Sequence, residues 1–476
     1  MMFRLIYPTY YRIAGVQGLS LLCKCIVLIC ALLFSIFTGP SQINALSLQE
    51  AKEEALRNNL NIKIAKDKIL ERQAESREQF AAMFPKLSVE SVASHAEDKA
   101  AVVIEKGAYG TYYSFPFPQN DVEIETGRKD NMMIGLKLEQ PVFRGGKLYY
   151  SYKTVKVREE WSKWNDQQVV LEEIRKVEEA YFNVLKAEEN KKFAEKHQTT
   201  LNAHLADVEI QYKNGRVALH EILKVKLEVA RSTELATKAN NALLIVKARL
   251  NTVLNHPIDP PVEVEKVEDP MPISIAIEEA EKMAISNHPS LNRARASIKE
   301  AAYNRKISEA DYYPHFLFTA EYYQRTEQPV YPDKNWYVML NMKWPFWEWG
   351  RTGHKINASK SIERQSEYSM SDLENQIKAE IRQAWLQSKE SYAQIGVAKE
   401  ALTYAEENLR ITQVGYAKGV NTSTSVLQAE EVLLRTQADY INAKYDAHNS
   451  RALLRYSIGI MSFEDLYQEK QGSEKK

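Results

Sequence analysis

Hydrophobic positions between residues 219 and 254 recur in alternating steps of three and four: Ile222, Val225, Val229, Ser232, Ala236, Ala239, Leu243, Val246, Leu250 and Val253. Val426, Ala429, Leu433, Thr436, Tyr440, Ala443, Ala447, Ser450, Leu454 and Ser457 repeat the pattern. A period of 3.5 held this long predicts helices packed side by side along a narrow seam, with Ala and Ser allowing close approach. Upstream, Lys147 to Asn214 contains neither Gly nor Pro, and Arg351 to Lys418 contains no Pro. At 1.5 Å per residue, roughly 66 helical residues reach about 100 Å, too long for a compact domain. A leading helix is expected over 48–84 and another over 277–313. Each return helix and leading helix, laid end to end, would match one long helix, which makes four rods per chain.

Short stretches alternate with a period of two. Met132, Ile134, Leu136 and Leu138 interleave with Met133, Gly135, Lys137 and Glu139, and Val338, Leu340, Met342 and Trp344 with Tyr337, Met339, Asn341 and Lys343. Leu87–His95 and Phe316–Tyr323 are two further candidate strands. One apolar and one polar side over 8–11 residues fits a transmembrane β-strand, and it equally fits a half-buried sheet. The aromatic residues Phe143, Trp336, Trp344, Trp347 and Trp349 crowd the strand ends, as expected of a membrane–water interface. A sheet in lipid must close, and four strands cannot form a barrel. Three chains supply twelve strands and twelve rods, so a trimer is the smallest assembly that yields a continuous tube.

The chain repeats itself. Residues 48–95 align on 277–324 without a gap (Ala51 on Ala280, Ala55 on Ala284, Asn58 on Asn287, Pro85 on Pro314). Residues 136–255 align on 340–459 (Pro141 on Pro345, Gly146 on Gly350, Tyr212 on Tyr416, Gly215 on Gly419). The first copy is longer between about 96 and 131, which predicts an extended outer loop. The organisation read from this is a signal peptide at 1–45, a first repeat at 46–254, a Pro-rich linker at 255–274, a second repeat at 275–462 and a polar tail at 463–476.

Composition adds constraints. Only 17 Gly and 16 Pro in 476 residues disfavour a turn-rich all-β or doubly wound fold. The 63 basic and 63 acidic side chains balance, giving no global field for nucleic acid. A mean hydropathy of −0.44 excludes a polytopic helical membrane protein, though not a barrel. The run Ile26–Phe37 follows Arg4, Arg12 and Lys24 and precedes Gly39-Pro40, the pattern of an export signal. Cys23, Cys25 and Cys30 all fall inside that segment, so a mature chain would lack disulfides and thiolate sites.

Catalytic and metal patterns fail. His220-Glu221 opens like a zinc-protease helix, but Lys224 stands where the second imidazole is needed. His197 and His204, two turns apart, read as a solvated face. Glu172/Lys176 and Glu178 beside Arg175 read as surface ion pairs. No cofactor, metal site or catalytic residue is expected.

The duplicated plan, the corners Pro141-Val142-Phe143-Arg144-Gly145-Gly146-Lys147 and Pro345-Phe346-Trp347-Glu348-Trp349-Gly350-Arg351, and the turns Tyr212-Lys213-Asn214-Gly215 and Tyr416-Ala417-Lys418-Gly419 resemble the TolC family of outer-membrane efflux and export proteins. The second corner departs from the double glycine at Trp349. The resemblance implies a mainly helical chain with membrane β: an α-helical barrel of duplicated antiparallel helices, and four strands per chain in a 12-stranded trimeric β-barrel. It implies a homotrimeric exit duct in the outer membrane with a long periplasmic extension. Such a duct contacts outer-membrane lipid and works with a periplasmic adaptor (membrane fusion protein) and an inner-membrane transporter in an efflux pump or type I secretion system. Gly215, Arg216, Val217, Gly419, Val420 and Asn421 would form the tips that dock the adaptor. The competing reading is a periplasmic coiled-coil or adaptor-like protein without a pore.

Overall fold

The structure, a computed structural model, describes residues 45–259, 261–326 and 332–461. The expected signal peptide up to residue 44, its three cysteines and the tail 463–476 lie outside the described residues.

Each repeat begins with a helix that breaks. In place of one helix over 48–84, α1 (Leu48–Asn58) is followed by α2 (Leu60–Ala81). Asn59 between them is extended (φ −61°, ψ 129°), and its side chain accepts from the backbone N–H groups of Asn61 and Ile62. That satisfies donors a helix start leaves orphaned. The second repeat breaks at the equivalent position, His288, between α5 (Ile277–Asn287) and α6 (Pro289–Glu309). Proline at the first helical position of α6 marks the restart.

The long helices are α3 (Lys147–Lys213) and α7 (Arg351–Ala417), each of 67 residues. The return helices are α4 (Leu219–Leu254) and α8 (Ser423–Ile458), each of 36. All the predicted seam positions on α4 and α8 are buried or half-buried. End-to-end stacking occurs, but at the break. Asn59 donates to the carbonyl of Val253 (3.3 Å), and Asn255 donates to that of Asn58 (3.4 Å). The composite rod is therefore α4 plus the 22 residues of α2. The 11-residue α1 docks outside it. Ala51 and Ala55 of α1, and their repeat partners Ala280 and Ala284 of α5, are fully buried, each pair in its own apolar cluster. These repeated alanines let the short helices approach the long ones closely.

The four main strands are β1 (Lys86–His95), β6 (Asp130–Arg144), β7 (His315–Arg325) and β8 (Lys334–Lys343). They form one antiparallel sheet in the order β1-β6-β7-β8. Beneath the sheet the helices neighbour one another in the order α2-α3-α6-α7, and towards the far end as α4-α3-α8-α7. Each strand thus runs into the rod below it. Between β1 and β6 the extra length folds into two small ladders, β2 (Ala101–Ile104) with β5 (Val122–Glu125) and β3 (Thr111–Tyr112) with β4 (Phe115–Pro116).

The Pro-rich linker is a strap. Leu46 and Val264 form a parallel bridge, and the Tyr181 hydroxyl on α3 donates to the carbonyls of Leu46 (2.8 Å) and Glu265 (2.7 Å). Val262, Val264 and Val267 pack against the main core. Lys444 binds Asp269 (3.0 Å) and Trp385 donates to the carbonyl of Ile275 (3.0 Å), extending the strap across α8 and α7.

Candidate functional site

The register of the sheet sorts its side chains. Leu87, Leu138, Ala320 and Val338 lie in one cross-strand row, and Val89, Leu136, Tyr322 and Trp336 in another, all on the same face. Lys137 pairs with Ser88 and Glu321, and Glu321 with Tyr337, on the opposite face. The apolar face is open, with Val89 68% exposed, Leu340 60% and Trp336 70%, whereas on β6 and β7 the polar face is the more covered one. On the polar face Lys137 bridges Glu90 (3.5 Å) and Glu139 (3.2 Å), the Tyr337 hydroxyl donates to Glu321, and Thr319 is buried. A water-soluble sheet does the reverse, hiding its apolar side. Exposed contiguous apolar surface of this extent marks a contact with lipid or protein.

The predicted aromatic residues separate into two levels. Phe143, Trp344, Trp347 and Trp349 gather at the helix end of the sheet. Phe143 packs on Tyr313 and Phe316, Trp347 on Trp349 (5.6 Å between centroids), and the Trp344 indole donates to the carbonyl of Tyr312. Trp336 lies at the other end, opposite Tyr322. Eight strand steps separate Trp336 from Trp344, about 27 Å at roughly 3.4 Å each. With strands tilted about 40°, that length spans roughly 21 Å of height, comparable to the ~25 Å apolar band of outer-membrane barrels, which aromatic girdles flank on both sides.

Both strand-to-helix corners use left-handed backbone. Gly145 and Gly146 have φ of +62° and +84°, and Trp349 and Gly350 have +53° and +82°. The departure at Trp349 therefore leaves the corner unchanged, with a bulky residue held in a region that disfavours it. At Gly145 no such exchange is open, because a Cβ would lie 2.4 Å from the carbonyl oxygen of Ala310.

At the far end, α3 and α4 are joined through Gly215 (φ +71°), and α7 and α8 through Gly419 (φ +78°). The N–H of Arg216 bonds the carbonyl of Gln211 and that of Gly215 the carbonyl of Tyr212; Val420 to Gly415 and Gly419 to Tyr416 repeat the pattern. These paired bonds close each helix on a glycine that tolerates positive φ. The six predicted tip residues do not all face outwards. Gly215, Arg216, Gly419 and Val420 are exposed. Val217 packs with Ile222, Val225 and Tyr416, while the Asn421 amide folds back to the carbonyl of Thr412 (3.2 Å). The two hairpins touch: His204 on α3 bonds the Ser423 hydroxyl (3.0 Å) and stacks edge-on against Tyr416. Burial lowers the His204 pKa.

Two polar readings change. His197 and His204 are not a solvated face, since His197 meets the buried Glu430 of α8 at 3.4 Å. Glu178 is 2% exposed and binds Lys52 of α1 (2.5 Å) and Arg455 of α8, while Arg175 pairs with Glu179. Sequence spacing along one helix could not show partners brought by other helices. Glu172 and Lys176 do pair at 3.0 Å. On α8, Lys444 and Arg451 face the strap, and Asp446, two residues from Lys444, meets Lys186 of α3 (3.4 Å) on the opposite side. There Arg175, Glu179, Gln387, Glu390 and Asn449 line an open polar cavity. Among the described residues no group of three His, Cys, Asp or Glu is placed to hold a metal ion.

A sequence model of the family described as "Outer membrane efflux protein" matches residues 52–256 and 281–460. The chain is 20% identical over 304 residues to "Outer membrane protein TolC" of Escherichia coli, an alignment covering 60% of this chain and 61% of that one. It is 24% identical over 195 residues to "Alkaline protease secretion protein AprF" of Pseudomonas aeruginosa, covering 39% of each. These alignments span less than two thirds of the relatives' lengths. In structure the chain is similar to the Campylobacter jejuni CmeC outer membrane channel, with a TM-score of 0.74 and 17% identity, covering 89% of this chain and 88% of that one.

Proposed function

The chain belongs to the outer membrane efflux protein family, and from that premise we propose that it is the exit duct of a tripartite efflux pump or type I secretion system. In this reading three copies close their four-stranded sheets into a 12-stranded barrel in the outer membrane. Their rods continue it as an α-helical tube into the periplasm. The single observation that carries the reading is the sheet itself: its apolar face is open, its polar face is the more covered one on β6 and β7, and among the described residues both edge strands, β1 and β8, are unpaired on their outer sides. An unpaired edge in lipid leaves backbone groups unsatisfied at several kcal/mol each, so closure by further copies follows. A second feature agrees. Leu223, Leu227, Ala230, Glu234, Thr237, Asn241 and Leu244 form another heptad row on α4, exposed throughout. A neighbouring copy's α7, the opposite edge of the same layer, would cover it.

Conduction through such a tube is passive, with energy supplied by an inner-membrane transporter. The exposed residues Gly215, Arg216, Gly419 and Val420 are proposed to dock the periplasmic adaptor, with Val217 and Asn421 shaping the turns from within. A pore-less periplasmic protein would leave the apolar sheet face facing water. The test is fractionation followed by electrophoresis and planar-bilayer recording. An outer-membrane, SDS-resistant, heat-dissociable trimer that forms ion-conducting pores is expected. A soluble periplasmic monomer without conductance overturns the proposal.

A further inference from the structure

Between β1 and β6 the chain carries an arm that its own body leaves uncovered. Its base continues the main sheet: the N–H of Ala96 bonds the carbonyl of Lys129, and Thr126 and Gly127 bond Ala100. The ribbon β2/β5 exposes Val102, Val122 and Ile124 on one face, while its other face sets Val103 against Glu123. Beyond it, Tyr109, Tyr112, Tyr113, Phe115 and Phe117 are all exposed, from 57% to 82%. A two-stranded ribbon alone is marginal in water, and one that leaves an apolar face open needs cover. The turn at its apex puts Tyr113 (φ +48°) and Ser114 (φ +73°) in the left-handed region, the turn that hairpins favour but that bulky residues resist. The most exposed ring of the cluster, Tyr113, is thus held out at the apex by strained backbone.

We propose that the arms of three copies pack against one another over the outer mouth of the barrel, forming an aromatic lid. This rests on the trimeric duct above. The occupant is a second copy for two reasons. The arm springs from β1, the open edge where the neighbouring copy must pair, so it continues that interface. Its reach also suffices. The β2 and β3 residues alone extend about 20 Å at roughly 3.3 Å each. Twelve strands spaced about 4.8 Å apart and tilted about 40° enclose a radius of only about 12 Å. The composition suits self-packing, since aromatic rings meet edge to face without requiring a charged complement; Tyr112 and Tyr113 already do so within one arm.

Three-fold symmetry gives a sharp test. A residue meets its own counterpart only near the axis, and a disulfide requires Cα atoms within about 7 Å. Beyond residue 45 the chain has no cysteine, so Tyr113→Cys introduces a single site per subunit. Mild oxidation of the membrane-embedded trimer is expected to join about two thirds of the subunits in covalent pairs, the maximum for three thiols. Replacing residues 105–119 by a short glycine turn is expected to raise single-channel conductance at least twofold. An intact SDS-resistant trimer with unpaired subunits, or with unchanged conductance after the deletion, overturns the lid and leaves the duct standing. Quenching of a bimane on the introduced cysteine by brominated lipid would place the arm in the bilayer and also overturn it. Failure of the parent protein to form a trimer would overturn the duct and the lid together.

Discussion

His288 shows how much one side chain settles here. It occupies the position of Asn59 in the other repeat, and its Nδ1 accepts the N–H of Ser290 (3.2 Å), so the ring must be neutral to cap α6. Burial, with Arg293 nearby, pushes its pKa down to about 4. Because the folded value lies below the unfolded one, the folded chain binds fewer protons between the two. The stability tied to His288 is complete above about pH 6.5 and is lost as pH falls towards 4. The span is worth at most about 3 kcal/mol at this nearly buried site. His288→Asn keeps a capping acceptor without a titrating ring. Denaturation midpoints compared at pH 7 and pH 5 should drop less in the variant than in the parent; an equal drop would show that His288 does not carry the dependence. The break is not legible locally, since a single Asn or His before a helix start is unremarkable. The repeat alignment held the missing signal, because the proline that restarts α6 falls one residue after the position matching Asn59.

Among the elements, the long helices, the return helices and their seams were legible because Pro is absent from all four, Gly is absent from all but α7, and the 3.5 period runs unbroken along each return helix. The four main strands were legible through their own period of two. Their order was not, because β6 and β7 join the two repeats through a pairing that no local pattern encodes. The strap was read only as a linker, although the apolar positions Val262, Val264 and Val267 spaced through it announced a packed side. The corner between β6 and α3 yields a prediction of its own. Gly145→Ala forces a Cβ onto the backbone of Ala310 and places a side chain at positive φ, which should cost a few kcal/mol. Trp349→Gly at the matching corner relieves strain of about 1 kcal/mol. Thermal unfolding of the detergent-solubilised proteins should therefore show a lowered midpoint for the first and no loss of backbone stability from the second. Equal destabilisation would mean that the Trp349 ring, not the turn, holds that corner.

For the molecule as a whole, the two faces of the sheet respond oppositely to charge. Leu340→Arg puts a cation on the open apolar face near the middle of the band, which costs about 2–4 kcal/mol in lipid. The yield of SDS-resistant oligomer should fall accordingly. Met339→Arg, one residue away on the polar face beside Thr319, should assemble at close to the parent yield. Indifference of the first substitution would remove lipid as the covering of that face. The strands, rods and strap belong to one plan: a single layer with one apolar and one polar side and, among the described residues, two unpaired strand edges.

The 67-residue rods also act as a ruler. At 1.5 Å per residue they hold the glycine turns about 100 Å from the strand ends. In the duct proposed above, that reach would let a component rooted in a different bilayer be met across the intervening compartment while neither membrane bends. Because a helix comes back to nearly the same azimuth after seven residues, excising one heptad from every rod should shorten that span by about 10 Å and keep the turns aimed as before. Excising five residues instead should swing them by about 140° and break engagement, although the span shortens by less, about 7.5 Å. Stepwise trimming of this kind, read out by cross-linking at Arg216, would measure the gap the protein is built to bridge.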